Sequence, residues 1–122
     1  MRFMMIYKPA NVKDMEAGVP PTQEHMAAMG KLIEEFVQSG VMLATDGLMP
    51  SSKGARVKQS DGKVAVTDGP FAEAKELIGG FAIFRLSSKA EAIELSKRFL
   101  QTAGDGEVEI RQMPDQPAYV RN

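Results

Sequence analysis

Three short runs of this chain, Arg2 to Tyr7, Val41 to Thr45 and Phe81 to Leu86, are largely apolar at successive positions, so each, as a strand, presents an apolar surface on both faces. In the first, Phe3, Met5 and Tyr7 point one way and Met4 and Ile6 the other. Only two long amphipathic helices are available to lie against such strands. The first begins after Thr22, a good N-cap residue, repeats Met26, Met29, Ile33, Phe36 and Val37 at helical spacing, and stops at Gly40. The second follows capping-box spacing from Ser88 to Glu91, presents Ala92, Leu95 and Phe99 with Ile93 and Leu100 beside them, and ends near Ala103 and Gly104. Two helices cover one face of a sheet, and the other face must find a different cover.

A fourth strand, Glu107 to Met113, alternates, with Val108 and Ile110 on one side and Glu107, Glu109 and Arg111 on the other. Between the second and third apolar runs, Arg56 to Gln59 and Lys63 to Thr67 flank Ser60, Asp61 and Gly62; Asp-Gly between extended segments signals a β-hairpin, here an insertion. With the hairpin set aside the order is β-α-β-β-α-β, a ferredoxin-like arrangement of α+β class with two helices on one face of a four-stranded antiparallel sheet. One domain over residues 1–122 is expected, with the segment Lys8 to Pro21 as a loop and an irregular tail from about residue 114, marked by Pro114 and Pro117. A second copy of the sheet is the simplest cover for the bare face. That predicts a homodimer, a dimeric α/β barrel, with Glu109 and Arg111 facing the enclosed space.

The 15 basic and 16 acidic side chains leave a formal net charge of -1, which gives no electrostatic footprint for a nucleic-acid backbone or an anionic membrane. Nowhere do the ~20 apolar residues of a membrane span occur, and the run Met1 to Ile6 is too short for a signal-peptide core, so a cytoplasmic protein is expected. With no cysteine, disulfides, thiolate chemistry, zinc-thiolate sites and iron-sulfur clusters are excluded, and a lone histidine excludes a histidine-based metal cluster. No metal and no organic cofactor is expected. The nine methionines read as core filler and adaptable interface.

His25, in the first turn of helix one, falls in line with Met29, Leu32 and Phe36 at the edge of the apolar stripe. It is either a residue at the core margin or a ligand-binding or acid-base group. The segment from Asp68 to Ile78 is the densest in information. Asp68 can accept from backbone amides two residues on, Pro70 can open a short helix, and Phe71, Ala74 and Ile78 share a face that Gly79 and Gly80 end. Glu73, Lys75 and Glu76 lie on its outer side, either as a solvated face or as the charges of a binding site. Arg85 is the one charge in its apolar strand and needs a carboxylate if buried; Glu109 is a candidate, across the sheet or across the dimer. No phosphate loop, nucleophile elbow, dinucleotide fingerprint or metalloprotease motif occurs.

The stretch TDGPFAEAKELIGGF, Thr67 to Phe81, resembles the DGPF family, a branch of the YCII-related proteins. Before it stands MAAMGKLIEEFVQSGVMLATDGL, Met26 to Leu48, and after it VEIRQM, Val108 to Met113, so the resemblance covers nearly the whole chain. It implies a ferredoxin-like fold paired into a dimeric α/β barrel, and no established activity. Because some members are encoded beside extracytoplasmic-function sigma factors, it also implies an accessory or sensory role with a sigma-factor-type partner. YCII-type relatives are thought to use a His-Asp pair in a pocket, and His25 of EHMAAM looks like that histidine. Where those relatives carry the aspartate, at the end of the strand before helix two, this sequence has Arg85; Asp68 substitutes only if the DGPF loop folds back over the helix start. The leading expectation is a homodimeric small-molecule-binding or accessory protein with Phe71, Glu73, Lys75, Arg85 and Glu109 at its ligand site. The alternatives are a metal-free enzyme using His25 and Asp68 in proton transfer, and an interaction module acting on a sigma-factor-type regulator.

Overall fold

A computed structural model of the chain describes residues 1–73 and 77–115. It is a mixed α+β fold built on one antiparallel sheet. The two-sided apolar run at the start becomes β1 (Arg2–Pro9), which occupies an interior position with a partner on each side. On one side lies β5 (Gly80–Arg85) and on the other β6 (Gly106–Met113), so that Met5 stands opposite both Ala82 and Ile110. With β2 (Met42–Gly47) on the far edge of β5, the strand order is β2-β5-β1-β6. A register shift between Met42 and Ala44 interrupts the β2 pairing.

Alternation along β1 sends Phe3 and Met5 into the core beneath the helices, where they join Phe84 of the neighbouring strand and Leu86 just beyond its end. Helix α2 (Gln23–Gln38) contributes Leu32 and Phe36, and α3 (Lys89–Ala103) contributes Ala92. The Phe36 and Phe84 rings meet edge to face at 5.4 Å, and Tyr7 and Phe99 do so at 5.0 Å. The expected caps form: Thr22 Oγ1 accepts from the His25 amide at 3.1 Å, and Ser88 Oγ from the Glu91 amide at 3.2 Å. The second box is displaced by one residue, because the Glu91 carboxylate accepts from Ser87 N and Oγ rather than closing on Ser88. Ser96 is buried on the inner face of α3, where its hydroxyl donates to the Ala92 carbonyl at 2.9 Å.

The segment read as a loop contains a short helix, α1 (Val12–Glu16), with no side-chain cap at Asn11. The inserted hairpin forms a separate two-stranded sheet of β3 (Ala55–Ser60) and β4 (Lys63–Asp68). Asp61 and Gly62 both have positive φ, 51° and 77°, as a two-residue hairpin turn whose twist matches its strands requires. The short helix expected at Pro70 is not present among the described residues: positions 69–73 and 77–79 are irregular. The segment lies against Ser51: a Cβ at Gly69 would stand 1.7 Å from the Ser51 carbonyl oxygen, and the Phe71 amide donates to Ser51 Oγ at 2.9 Å. Leu77, not Ile78, is the buried residue there, and Ala74 and Lys75 fall outside the described residues. Among the described residues no helix is long and apolar enough to cross a membrane.

Candidate functional site

The inner face of the sheet is not fully covered. Between α2, the helix-facing side chains of β1, β2 and β5, and the α1 segment lies a cavity of about 960 Å³. Its floor is apolar, with Met5, Phe84, Phe99 and Val108, and the helix adds Met26, Met29 and Ile33 to its wall. Polar residues along its lining are Asn11 and Asp14 in the α1 segment, Thr22 and His25 at the start of α2, and Thr45 on β2; the neighbouring Asp46 pairs with Phe81 and so stands on the outer face of the sheet. His25 is half-buried, and its position follows from Thr22, whose hydroxyl fixes the first turn of the helix. Tyr7 also lines the cavity; burial first, and then the Asp105 carboxylate, hold its phenol above the ordinary range, so it remains a protonated hydroxyl at neutral pH.

A second cluster joins three segments outside the cavity. The Ser51 amide donates to Glu16 Oε2 at 2.7 Å and its hydroxyl donates to Glu16 Oε1, while the same hydroxyl accepts from the Phe71 amide. One serine therefore clasps the end of α1 to the DGPF loop. The Ser51 hydroxyl, with its amide adding to it, keeps the Glu16 carboxyl below its usual range. The Arg56 guanidinium lies 4.0 Å from the centre of the Phe71 ring.

The third grouping lies on the outer face of the sheet. Lys8 Nζ is 3.1 Å from Glu109 and 3.8 Å from Glu107, and Arg111 is 3.3 Å from Glu109. The hydrogen bond from Lys8, then that from Arg111, lowers the Glu109 pKa; reciprocally the bond to Glu109 raises that of Lys8. Arg85 ends β5 on this same face, exposed, directly opposite Arg2. Met4, Ile6, Phe81 and Ile83 lie between these charges and have no helix over them.

The model of the YCII-related domain matches residues 1–114. The chain belongs to the YCII-related domain family. It is 31% identical over 72 residues to the uncharacterized protein R00369 of Rhizobium meliloti (strain 1021), a match spanning 59% of this chain and 58% of that relative's length. Among solved structures it is similar to 5-chloro-2-hydroxyhydroquinone dehydrochlorinase (TftG) from Burkholderia phenoliruptrix AC1100, in complex with 2,5-dihydroxybenzoquinone. That likeness covers 93% of this chain and 94% of the other, with a TM-score of 0.49 and 14% identity, a level that transfers no chemistry.

In this YCII-related chain the residues singled out from the sequence fall in three places. His25 lines the cavity. Asp68, Phe71 and Glu73 belong to the DGPF segment and, though described, are not among the cavity's lining residues. Arg85 and Glu109 share the outer face, but Glu109 pairs with Lys8 and Arg111 rather than with Arg85. Lys75 lies outside the described residues. Sequence reasoning passed over Tyr7, Asp14 and Ser51. Tyr7 was detectable as the one hydroxyl among the inward positions of β1; Asp14 and Ser51 sit in segments with no periodic signal to mark them.

Proposed function

We propose that this protein binds a small molecule in the cavity beneath α2, with Tyr7 and His25 as its polar contacts, and works as a homodimer. The observation that carries this reading is the cavity itself, a largely apolar space with a few polar residues along its lining, the usual make-up of a ligand site. The homodimer rests on the uncovered outer face, where Met4, Ile6, Phe81 and Ile83 form an apolar patch bounded by charge. In this reading the chain is a ferredoxin-like unit of the DGPF branch, cytoplasmic, and two sheets pack as a dimeric α/β barrel. Arg85 and Glu109 then act at the dimer, and Asp68, Phe71, Glu73 and Lys75 belong to the DGPF segment, which would carry its own contacts. An accessory or sensory role, with a sigma-factor-type partner, would read out the bound state.

The second reading is an enzyme in which His25 moves a proton, favoured by the place of this half-buried histidine in the cavity lining. Native mass spectrometry of the purified dimer, followed by denaturation and identification of released compounds, tests binding. A small molecule should leave with the wild type, be lost in His25→Ala, and be accompanied by an unchanged dimer. Retention of the same compound in His25→Ala and in Tyr7→Phe would remove the cavity from the site.

A further inference from the structure

Every wall of the cavity but one is anchored in the sheet or in the core. The strands are held by their ladders, α2 by Leu32 and Phe36, and α3 by Ala92. The exception is the strap between β1 and α2, residues 11–21, which supplies Met15, Val19, Pro20 and Pro21 to the lining yet has no buried residue of its own. Its helix α1 is 5 residues long with no side-chain cap, too short to persist without outside contacts. The ends of the strap are fixed: the Ala10 amide donates to the Asp105 carbonyl at 3.0 Å, and Thr22 caps α2. Between those ends, among the described residues, the only hydrogen bonds reaching the rest of the fold are the two that Ser51 donates to the Glu16 carboxylate. Ser51 is the firm side of this contact. Its hydroxyl also accepts the Phe71 amide at 2.9 Å, its carbonyl accepts the Gly54 amide at 2.9 Å, and Gly69 lies against its main chain. Neither Glu16 nor Ser51 lines the cavity, so the pair holds the strap without touching the space that the strap covers. A segment with little buried apolar surface and one polar tie is the part of a fold that opens first.

We propose that residues 11–21 are the gate of the cavity and that the contact between Glu16 and Ser51 is its latch. This rests on the cavity being the binding site. A gate that must open for both entry and exit has a kinetic signature. Loosening its latch raises the association and dissociation rates by the same factor and leaves affinity nearly unchanged, whereas losing a contact to the ligand speeds dissociation alone. The probe is 2-naphthalenemethanol, a neutral aromatic alcohol whose fluorescence no tryptophan of this chain obscures. Carbon-13 labels on the methionine methyls locate it, since Met5, Met29 and Met42 line the cavity while Met1, Met4, Met49 and Met113 do not. In stopped-flow mixing, Glu16→Ala should raise both rates about tenfold, the scale of one hydrogen bond to a charged group. Ser51→Ala keeps the amide bond and loses the hydroxyl, so its rates should fall between; it carries the test alone if Glu16→Ala does not fold. Rates equal to wild type in the variants, with the cavity methyls still shifting, overturn the gate and leave the cavity as a binding site. A rise in dissociation alone overturns the latch, because Glu16 then acts on the ligand. Silence of the cavity methyls toward the probe overturns the cavity reading and this inference with it.

Discussion

Gly69→Ala tests how the DGPF loop is held. The new methyl carbon would stand 1.7 Å from the Ser51 carbonyl oxygen and 2.5 Å from its carbon, where real contacts do not fall below 3.0 Å, so the strands of backbone must part by about 1.3 Å. All three nearest neighbours, the Ser51 carbonyl oxygen and carbon and the Ser52 nitrogen, are main chain, so no side-chain rotation relieves the clash. Two hydrogen bonds depend on that approach, Gly69 N to the Gly54 carbonyl at 3.0 Å and Phe71 N to Ser51 Oγ at 2.9 Å. At about 0.5–1.5 kcal/mol each, their loss destabilises the fold by about 1–3 kcal/mol, or up to roughly 10 °C in melting temperature for a domain of this size. The damage should be local, because the hairpin and loop form no part of the four-stranded sheet. Hydrogen exchange read residue by residue should show faster exchange at positions 69 and 71 and unchanged protection in β1 and β5. Protection of the Phe71 amide equal to wild type, with an unchanged denaturation midpoint, would refute the argument.

Phe3 and Phe84 are cross-strand partners of nearly equal burial, 1% and 2% exposed, but only Phe84 lines the cavity. Phe3→Ala should therefore cost about 4–5 kcal/mol in urea denaturation and Phe84→Ala nearer 3, because space opened beside an existing cavity adds less to the cost; equal losses would count against the cavity. Glu109 has a lowered pKa, so its contribution is present above the unfolded value of 4.5 and lost as pH falls through the lower folded value; Glu109→Gln should flatten the acid limb of the stability curve between pH 5 and 2. Lys8 has a raised pKa, so its contribution holds below 10.5 and fades as pH climbs through the higher folded value, and an alkaline melt of Lys8→Met should lack that decline. Ile83→Asp on the outer face should convert the dimer to a monomer in light scattering, and a wild type already monomeric at micromolar concentration would end the homodimer proposal.

Local signals and the structure agree where a single residue type decides the geometry. Thr22 and Ser88 start helices because their hydroxyls reach amides three residues on, and Asp61-Gly62 turns the hairpin because both accept positive φ. Disagreement comes where a distant contact decides. Pro70 does open many short helices, but here its segment rests on Ser51, far away in sequence, whose hydroxyl accepts the Phe71 amide and whose main chain closely approaches Gly69. The α1 helix has no cap of its own and is pinned by Glu16 on Ser51, which no window of neighbouring residues contains. Arg85, the one charge on an apolar strand, suggests Glu109 of the alternating last strand as its partner; the register of β1 against β6 instead sets Lys8 two positions along from Glu109 on the same face. The cavity was illegible for a more basic reason, since its size depends on how far α2 stands from the sheet, a distance that periodicity does not encode.

The position of β1 also bears on how the chain assembles. It precedes the other strands of its sheet in the chain and pairs along its whole length with β6, from Arg2 opposite Met113 to Pro9 opposite Gly106. Contacts of such separation come late and slow folding, since the intervening loop must be closed before they form. On the ribosome β1 thus waits for β5 on one edge and longer for β6 on the other, with the main-chain groups of that edge open to stray pairing until nearly all of the described chain has emerged.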